Sequence, residues 1–92
     1  MAVEIRLPTV LRQYANGVAT VKADGETIGQ LLEDLERQFP AMKGQIIGDD
    51  GKLHKFVNVY LNDDDIRYLQ NLDTKVAPGD KVAILPAVAG GA

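Results

Sequence analysis

Apolar and polar residues alternate with a period of two in several short stretches, which predicts strands with one buried face. The clearest stretch is near the N-terminus, where single charged residues separate Val3, Ile5 and Leu7. Turn sequences such as Asn16-Gly17 and Pro78-Gly79-Asp80 separate these stretches. The predicted strands are residues 3–7, 18–23, 55–61 and 81–85, with a tight turn at 62–65 and a short edge strand at 66–68.

One segment between the second and third predicted strands has the period of a helix. Thr27 is suited to the N-cap, and Gln30 three residues later completes a capping box. Pro40 closes the helix, because the residue before a proline is disfavoured in the helical conformation. Beyond it, residues 41–52 are irregular, and Ile46-Ile47 is expected to pack back onto the core. The apolar face of the helix is formed by Ile28, Leu31, Leu32, Leu35 and Phe39.

The order of elements is therefore β-β-α-β-β-β. A single sheet with one main helix must bury one of its faces under that helix. We predict an α+β protein with a β-grasp fold, a mixed sheet of four to five strands with the helix packed on one face. In this arrangement the first and last strands lie side by side. Residues 1–86 form the domain, and residues 87–92 are expected to be a flexible C-terminal tail.

Size and charge narrow the classes of function. A chain of 92 residues fits one small domain, and its net charge of −3 does not predict a nucleic-acid surface. No apolar stretch is long enough to span a membrane. The N-terminal sequence lacks the basic and apolar regions of a signal peptide. We therefore expect a cytoplasmic protein with neither nucleic-acid nor membrane partners.

The residues that usually carry catalysis or bind metals are scarce. The chain contains no cysteine and no serine, and His54 is its only histidine. A thiol nucleophile, a Ser-His-Asp triad, a thiolate-bound cluster and a histidine-rich metal site are excluded. The acidic run 63–65 could bind Mg²⁺ or Ca²⁺, but aspartates also favour turns, and we predict an acidic turn. No bound cofactor or metal is expected, and the chain is not expected to be an enzyme by itself.

The most informative residues are Gly90 and Gly91, next to the C-terminal Ala92. Paired glycines cost backbone entropy and bury no side chain, so they contribute little to a folded domain. They suit a tail that enters a narrow site on another protein, where the missing Cβ atoms let catalytic groups approach the backbone. The tail therefore indicates a protein whose own C-terminal carboxylate is the reactive group.

Three motifs resemble one family of proteins. They are Phe56-Val57-Asn58-Val59-Tyr60-Leu61-Asn62-Asp63-Asp64-Asp65-Ile66-Arg67, Pro78-Gly79-Asp80, and Leu85-Pro86-Ala87-Val88-Ala89-Gly90-Gly91. Together they resemble the MoaD and ThiS family of ubiquitin-like sulfur carriers, closest to its actinobacterial CysO branch, and the resemblance covers nearly the whole chain. It implies that an E1-like enzyme uses ATP to adenylate the terminal glycine, here Gly91, and that a sulfur donor then leaves a thiocarboxylate there.

The resemblance also implies the partners. Besides the E1-like adenylating enzyme and sulfurtransferase, they are a sulfur-accepting synthase and a JAMM-type metalloprotease. In the CysO branch the synthase is PLP-dependent and the product is cysteine. Elsewhere in the family the acceptor is a thiosugar, thiazole or pterin precursor. The alternatives are a ubiquitin-like protein modifier, the small subunit of molybdopterin synthase, or a plain interaction domain that does not use its tail.

Ala92 departs from the family pattern, in which the second glycine is terminal. It is removed by a protease, or it is a residue added to the natural sequence, or the terminus is not used at all. In the first case Gly91 carries the sulfur, Gly90 gives backbone clearance and Ala92 is a removable cap. We adopt this interpretation as the prediction.

Apolar residues on the other side of the predicted sheet indicate a protein interface. Phe56, Tyr60 and Leu85 occupy strand positions opposite the core positions. If the helix covers only one face, these side chains are exposed, and clustered exposed apolar side chains mark interaction sites. Scattered surface apolar residues are the alternative. We predict that these three residues and Val88 of the tail bind the partner enzymes.

Overall fold

The computed structural model describes residues 2–55 and 57–86. The predictions made for Phe56 and for the tail at 87–92 lie outside the described residues. The strands are β1 (Ala2–Arg6), β2 (Thr20–Asp24), β3 (Val57–Leu61), β4 (Asp64–Asp65) and β5 (Lys81–Pro86), and the α-helices are α1 (Thr9–Arg12) and α2 (Ile28–Gln38). Single 3₁₀ turns lie at Gln13–Ala15, Pro40–Met42, Ile66–Tyr68 and Asn71–Asp73.

The five strands form one mixed sheet in the order β2-β1-β5-β3-β4. β1 and β5 are parallel, with Ile5 opposite Val82, while the β1–β2, β3–β5 and β3–β4 pairs are antiparallel. The predicted α+β arrangement, with first and last strands side by side and one main helix on one face, is confirmed. This order makes β5 the middle strand of the sheet.

Helix α2 supplies one half of the core. The side chains of Ile28, Leu31, Leu32 and Leu35 are fully buried, as predicted, and Phe39 packs at the margin. The hydroxyl oxygen of Thr27 accepts a hydrogen bond from the Gln30 backbone N–H at 3.2 Å. The Gln30 side-chain oxygen accepts from the Glu26 N–H at 2.8 Å, one residue earlier than in a standard capping box.

The prediction for residues 62–68 was partly wrong. The tight turn contains only Asn62 and Asp63, both with positive φ, and the edge strand is β4 rather than residues 66–68. Ile66–Tyr68 is a 3₁₀ turn, because the Asp65 carboxylate accepts from the Arg67 N–H at 2.9 Å and caps it. Ile66 is fully buried beneath this turn, so its apolar character reflects the core rather than a strand.

The segments outside the sheet close the remaining sides of the core. Met42 and Ile46 are fully buried, which confirms the prediction that residues 46 and 47 pack inward, although Ile47 is only half-buried. The turn at Asn71–Asp73 was not predicted. It lies against α2 at Gly29, where a Cβ atom would come within 3.1 Å of the Leu72 carbonyl oxygen. A side chain at this helix position would require the Leu72 backbone to shift by a few tenths of an ångström, and glycine avoids that shift.

Candidate functional site

The base of the tail is a fixed point in the fold. β5 is held by hydrogen bonds from β1 on one side and β3 on the other. In β5, Ala83 lies opposite Arg6 of β1, and the last residue of the strand, Pro86, lies opposite Val57 of β3. Residues 87–92 therefore follow directly from the end of the central strand.

A side-chain network fixes the other end of β5. The Asn62 amide nitrogen donates to an Asp80 carboxylate oxygen at 3.0 Å, and the Asn62 amide oxygen accepts from the Lys81 N–H at 2.9 Å. The second Asp80 oxygen accepts from the Ala77 N–H at 2.8 Å. The hydrogen bond from Asn62, followed by that from Ala77, holds the pKa of Asp80 below its usual value. The predicted Pro-Gly-Asp turn thus fixes the position at which β5 begins.

The face of the sheet opposite α2, termed here the open face, carries the predicted interface residues. Leu85 is 45% exposed and lies opposite Asn58, and Tyr60 is half-buried opposite Ala83. The structure thus places two predicted interface residues on one face, on neighbouring strands. Phe56, Val88, Gly90, Gly91 and Ala92 lie outside the described residues. The open face is formed mainly by Glu4, Arg6, Lys22, Asn58, Tyr60, Lys81, Ala83 and Leu85.

A groove that the sequence did not predict begins at the base of the tail. It has a volume of about 450 Å³ and runs between the end of β5 and the β1–α1 connection. Val10 is 59% exposed beside it, although Leu11, the next residue, is buried. The neighbouring apolar pair gave only a weak signal for this exposure, because two successive residues of a helix can both face the core, as Leu31 and Leu32 do in α2. This tail-base groove is lined chiefly by Arg6, Pro8, Val10, Arg12, Leu85 and Pro86.

The tail-base groove is basic in a chain of net negative charge. Its lining includes the arginines at 6 and 12 and no acidic residue. The Arg12 guanidinium donates through Nε to the Leu7 carbonyl at 3.2 Å, which holds that side chain against the connection. Apolar and arginine side chains together are typical of the central residues of protein interfaces. The surface beside the tail is therefore chemically suited to bind a partner protein.

The acidic run 63–65 has structural roles. Asp64 and Asp65 form β4, Asp65 caps the following turn, and Asp63 occupies the left-handed turn position. In residues 2–55 and 57–86, no group of three or more histidine, aspartate or glutamate side chains could hold a metal ion. Over the same part of the chain, no helix has the length and apolar character needed to cross a membrane.

Comparison with known proteins identifies the family. The model of the ThiS family matches residues 5–91. The chain is 44% identical to the sulfur carrier protein CysO of Mycobacterium tuberculosis over 93 positions, which cover 99% of this chain and all of the relative. The chain therefore belongs to the ThiS family, and the predicted resemblance is confirmed.

Solved structures agree with this assignment. A chain of the Amycolatopsis orientalis BexX/CysO complex superposes with a TM-score of 0.89 at 41% identity, covering 98% of this chain and all of that one. SAMP1, a small archaeal modifier protein of Haloferax volcanii, superposes with a TM-score of 0.82 at 33% identity, covering 99% of this chain and all of that one. The fold is thus shared by proteins described as sulfur carriers and as modifiers.

Proposed function

We propose that this ThiS-family protein is a sulfur carrier, and that Gly91 carries the sulfur as a thiocarboxylate. The main support for this proposal is that the family match extends to Gly91 and does not include Ala92. The 44% identity to CysO supports the same role. The geometry supports the same role, because the central strand, which precedes the tail in the sequence, ends beside an uncovered sheet face. The protein acts as a co-substrate for its partner enzymes rather than as an enzyme.

The chemistry resides in the terminal carboxylate. An E1-like partner joins the Gly91 carboxylate to the AMP moiety of ATP and releases pyrophosphate. A sulfur nucleophile then attacks the carbonyl carbon, so that a C–S bond forms as the bond to AMP breaks. The resulting thiocarboxylate is anionic at neutral pH, and an anionic sulfur is the nucleophilic form. Placed on a protein, it is carried between enzymes as a cofactor carries a group.

Ala92 controls this reaction in our proposal. An adenylation site shaped for a terminal Gly-Gly pair excludes an added residue, and Ala92 would displace the carboxylate from the ATP α-phosphate. A misplacement of about 1 Å can reduce a rate about 100-fold. A metal-dependent protease therefore releases alanine before activation.

The test compares two forms of the chain, one with Ala92 and one in which Gly91 is terminal. Each is incubated with an E1-like enzyme, ATP and a sulfur source, and intact mass is measured. We expect the mass change of one oxygen-to-sulfur exchange only in the form with terminal Gly91. A form that terminates at Ala89 should keep its fold and acquire no sulfur. Equal sulfur loading at Ala92 without its removal would contradict the proposal.

The partner enzymes bind the open face and the tail-base groove. Leu85 and Arg6 belong to both surfaces, so a protein that holds the tail would also contact them. The existence of a BexX/CysO complex for a relative at 41% identity supports the idea that this fold docks a second protein. We include Tyr60, and the predicted residues Phe56 and Val88, in this contact.

The sulfur acceptor follows from the similarity to CysO. We propose that a PLP-dependent synthase takes the sulfur for cysteine biosynthesis in the cytoplasm, with a thiosugar or thiazole synthase as the alternative. Incubating the thiocarboxylate form with a synthase and an activated serine derivative should give a carrier–cysteine adduct, detected by mass. Sulfur transfer only to a sugar, thiazole or pterin precursor would assign another acceptor, and the last would indicate the small subunit of molybdopterin synthase.

A second candidate function is supported by the likeness to SAMP1. A ubiquitin-like modifier forms an isopeptide bond between its terminal glycine and a lysine of a target protein. The fold and the tail serve either function, because both begin with an activated terminal carboxylate. A tagged form with terminal Gly91 distinguishes them in cells. Covalent conjugates of higher mass indicate the modifier, whereas a single sulfur-for-oxygen exchange without conjugates indicates the carrier.

A further inference from the structure

The sheet has an edge strand whose outer backbone groups would ordinarily be open. β2 pairs only with β1. The Leu7 N–H donates to the Ala19 carbonyl at 2.8 Å, so the odd-numbered residues of β2 direct their backbone groups towards β1. The backbone groups of Thr20, Lys22 and Asp24 therefore point away from the sheet. Such a row of groups is a template for pairing with another chain.

Two side chains of α2 occupy this edge. An Asp34 carboxylate oxygen accepts from the Asp24 backbone N–H at 3.0 Å. The Gln38 amide nitrogen donates to the Lys22 carbonyl at 2.9 Å and to the same Asp34 oxygen at 3.0 Å. The Arg37 guanidinium forms a salt bridge with the other Asp34 carboxylate oxygen at 3.2 Å. One N–H and one carbonyl of the outer edge are thus already bonded within the chain.

The backbone groups at the opposite edge of the sheet, along β3 and β4, are bonded in a similar way. β4 is only two residues long and covers Tyr60 and Leu61 of β3. Beyond it, the Arg67 guanidinium donates to the Val57 carbonyl at 2.9 Å and also contacts the Asn58 side chain. A charged side chain, Asp34 at one edge of the sheet and Arg67 at the other, therefore hydrogen-bonds to a strand backbone. This repetition indicates protection of the edges rather than an isolated surface contact.

We propose that Asp34 and Gln38 form an edge lock, which prevents the outer edge of β2 from pairing with the β2 strand of a second copy of this chain. The proposal concerns self-association and is independent of the sulfur chemistry of the tail.

The charges along β2 favour a second copy as the occupant. In an antiparallel pair related by a two-fold axis at Ala23, each Lys22 lies opposite Asp24 of the other copy on the open face. Opposite charges at facing positions stabilise a strand pair, and like charges destabilise it. A pair centred on Lys22 would instead place two lysines opposite each other. The first register is therefore the one that an unlocked edge would adopt.

The test removes the lock and measures association. The Asp34→Ala/Gln38→Ala variant is compared with Glu33→Ala, which removes an exposed charge from the same helix. Sedimentation equilibrium over a range of concentrations should show a monomer for the natural chain and for the control. The double variant should form a dimer in a concentration-dependent manner. Adding Lys22→Asp to the unlocked protein should weaken the dimer about tenfold, because two facing pairs change from attraction to repulsion.

Hydrogen exchange provides a second measurement. In dilute solution, Asp34→Ala should accelerate exchange of the Asp24 amide relative to Glu33→Ala, and at high concentration dimer formation should slow it again. If the double variant does not fold, Gln38→Ala alone frees the Lys22 carbonyl and is measured in the same way. A folded, unlocked variant that stays monomeric at all concentrations, or a natural chain that already dimerises through β2, would overturn the proposal.

Discussion

The two faces of the sheet are formed by the same strands but differ in burial and in chemical character. On the face covered by α2, Val3, Ile5, Val82 and Ile84 are at most 1% exposed. On the open face, most residues are charged or polar, among them Glu4, Arg6 and Lys81, and Leu85 is left 45% exposed. Successive side chains of a strand point to opposite faces, so one backbone position separates the two environments.

This difference separates stability from recognition in the molecule. The covered face contains most of the sheet's buried apolar area, which is the main source of folding free energy. The open face adjoins the base of the tail and contributes less to folding. Substitutions on the covered face should therefore change the free energy of unfolding, and those on the open face should change binding.

The largest effect is expected in the core between α2 and the covered face. Leu32→Ala removes a fully buried side chain of α2 and leaves a cavity. Such substitutions cost about 2–5 kcal/mol of unfolding free energy. Urea unfolding measures the loss, with Leu85→Ala on the open face as the control, for which we expect a smaller change. Similar losses for the two variants would contradict the division between the faces.

The next effect is a loss of binding without a matching loss of stability. Leu85→Asp places a charge at the base of the tail, where we propose that the activating enzyme binds. Loss of a central interface residue commonly costs about 2 kcal/mol or more of binding free energy. Calorimetry with the E1-like enzyme measures this loss of binding free energy, and we expect a similar loss for Phe56→Asp. Val18→Asp, at an exposed apolar residue outside the groove, is the control. Unfolding of the Leu85 variant would place this residue in the core.

A smaller effect is expected at the N-terminus of the helix that covers the core. Thr27→Ala removes the acceptor for the Gln30 N–H. Loss of an N-cap typically costs about 1 kcal/mol. Thermal unfolding should show the decrease, and Thr20→Ala on the exposed edge strand should not. An unchanged unfolding temperature for Thr27→Ala would mean that water replaces the cap without cost.

The smallest effect concerns pH. The Asp24 N–H and Gln38 lower the pKa of Asp34, and Asn62 and the Ala77 N–H lower that of Asp80. A carboxyl with a lowered pKa in the folded state stabilises the protein fully above its ordinary pKa of about 3.9. This contribution is lost as the pH falls through the lowered value. Urea unfolding below pH 4 should therefore show decreasing stability, with a shallower decrease in Asp80→Asn. Equal slopes would exclude a role for Asp80.

Local sequence pattern predicted the elements whose causes are local. Helix α2 was predicted from a cap, an apolar stripe and a proline, all within 14 residues of one another in the sequence. The strands were predicted from alternation, and the Pro-Gly-Asp turn from its own residues. The pairing of the first and last strands followed once a single sheet with one covering helix was inferred.

Contacts between distant segments decided the rest. The edge strand falls at residues 64 and 65 because β3 pairs there and Asp65 caps the next turn, while the apolar pattern alone placed it at 66–68. The tail-base groove joins Val10 to Leu85, and the edge lock joins Gln38 to Lys22. Each depends on how elements pack and in which register strands pair. An apolar pattern specifies which face of an element is buried, whereas only tertiary structure specifies which backbone or side chain lies against it.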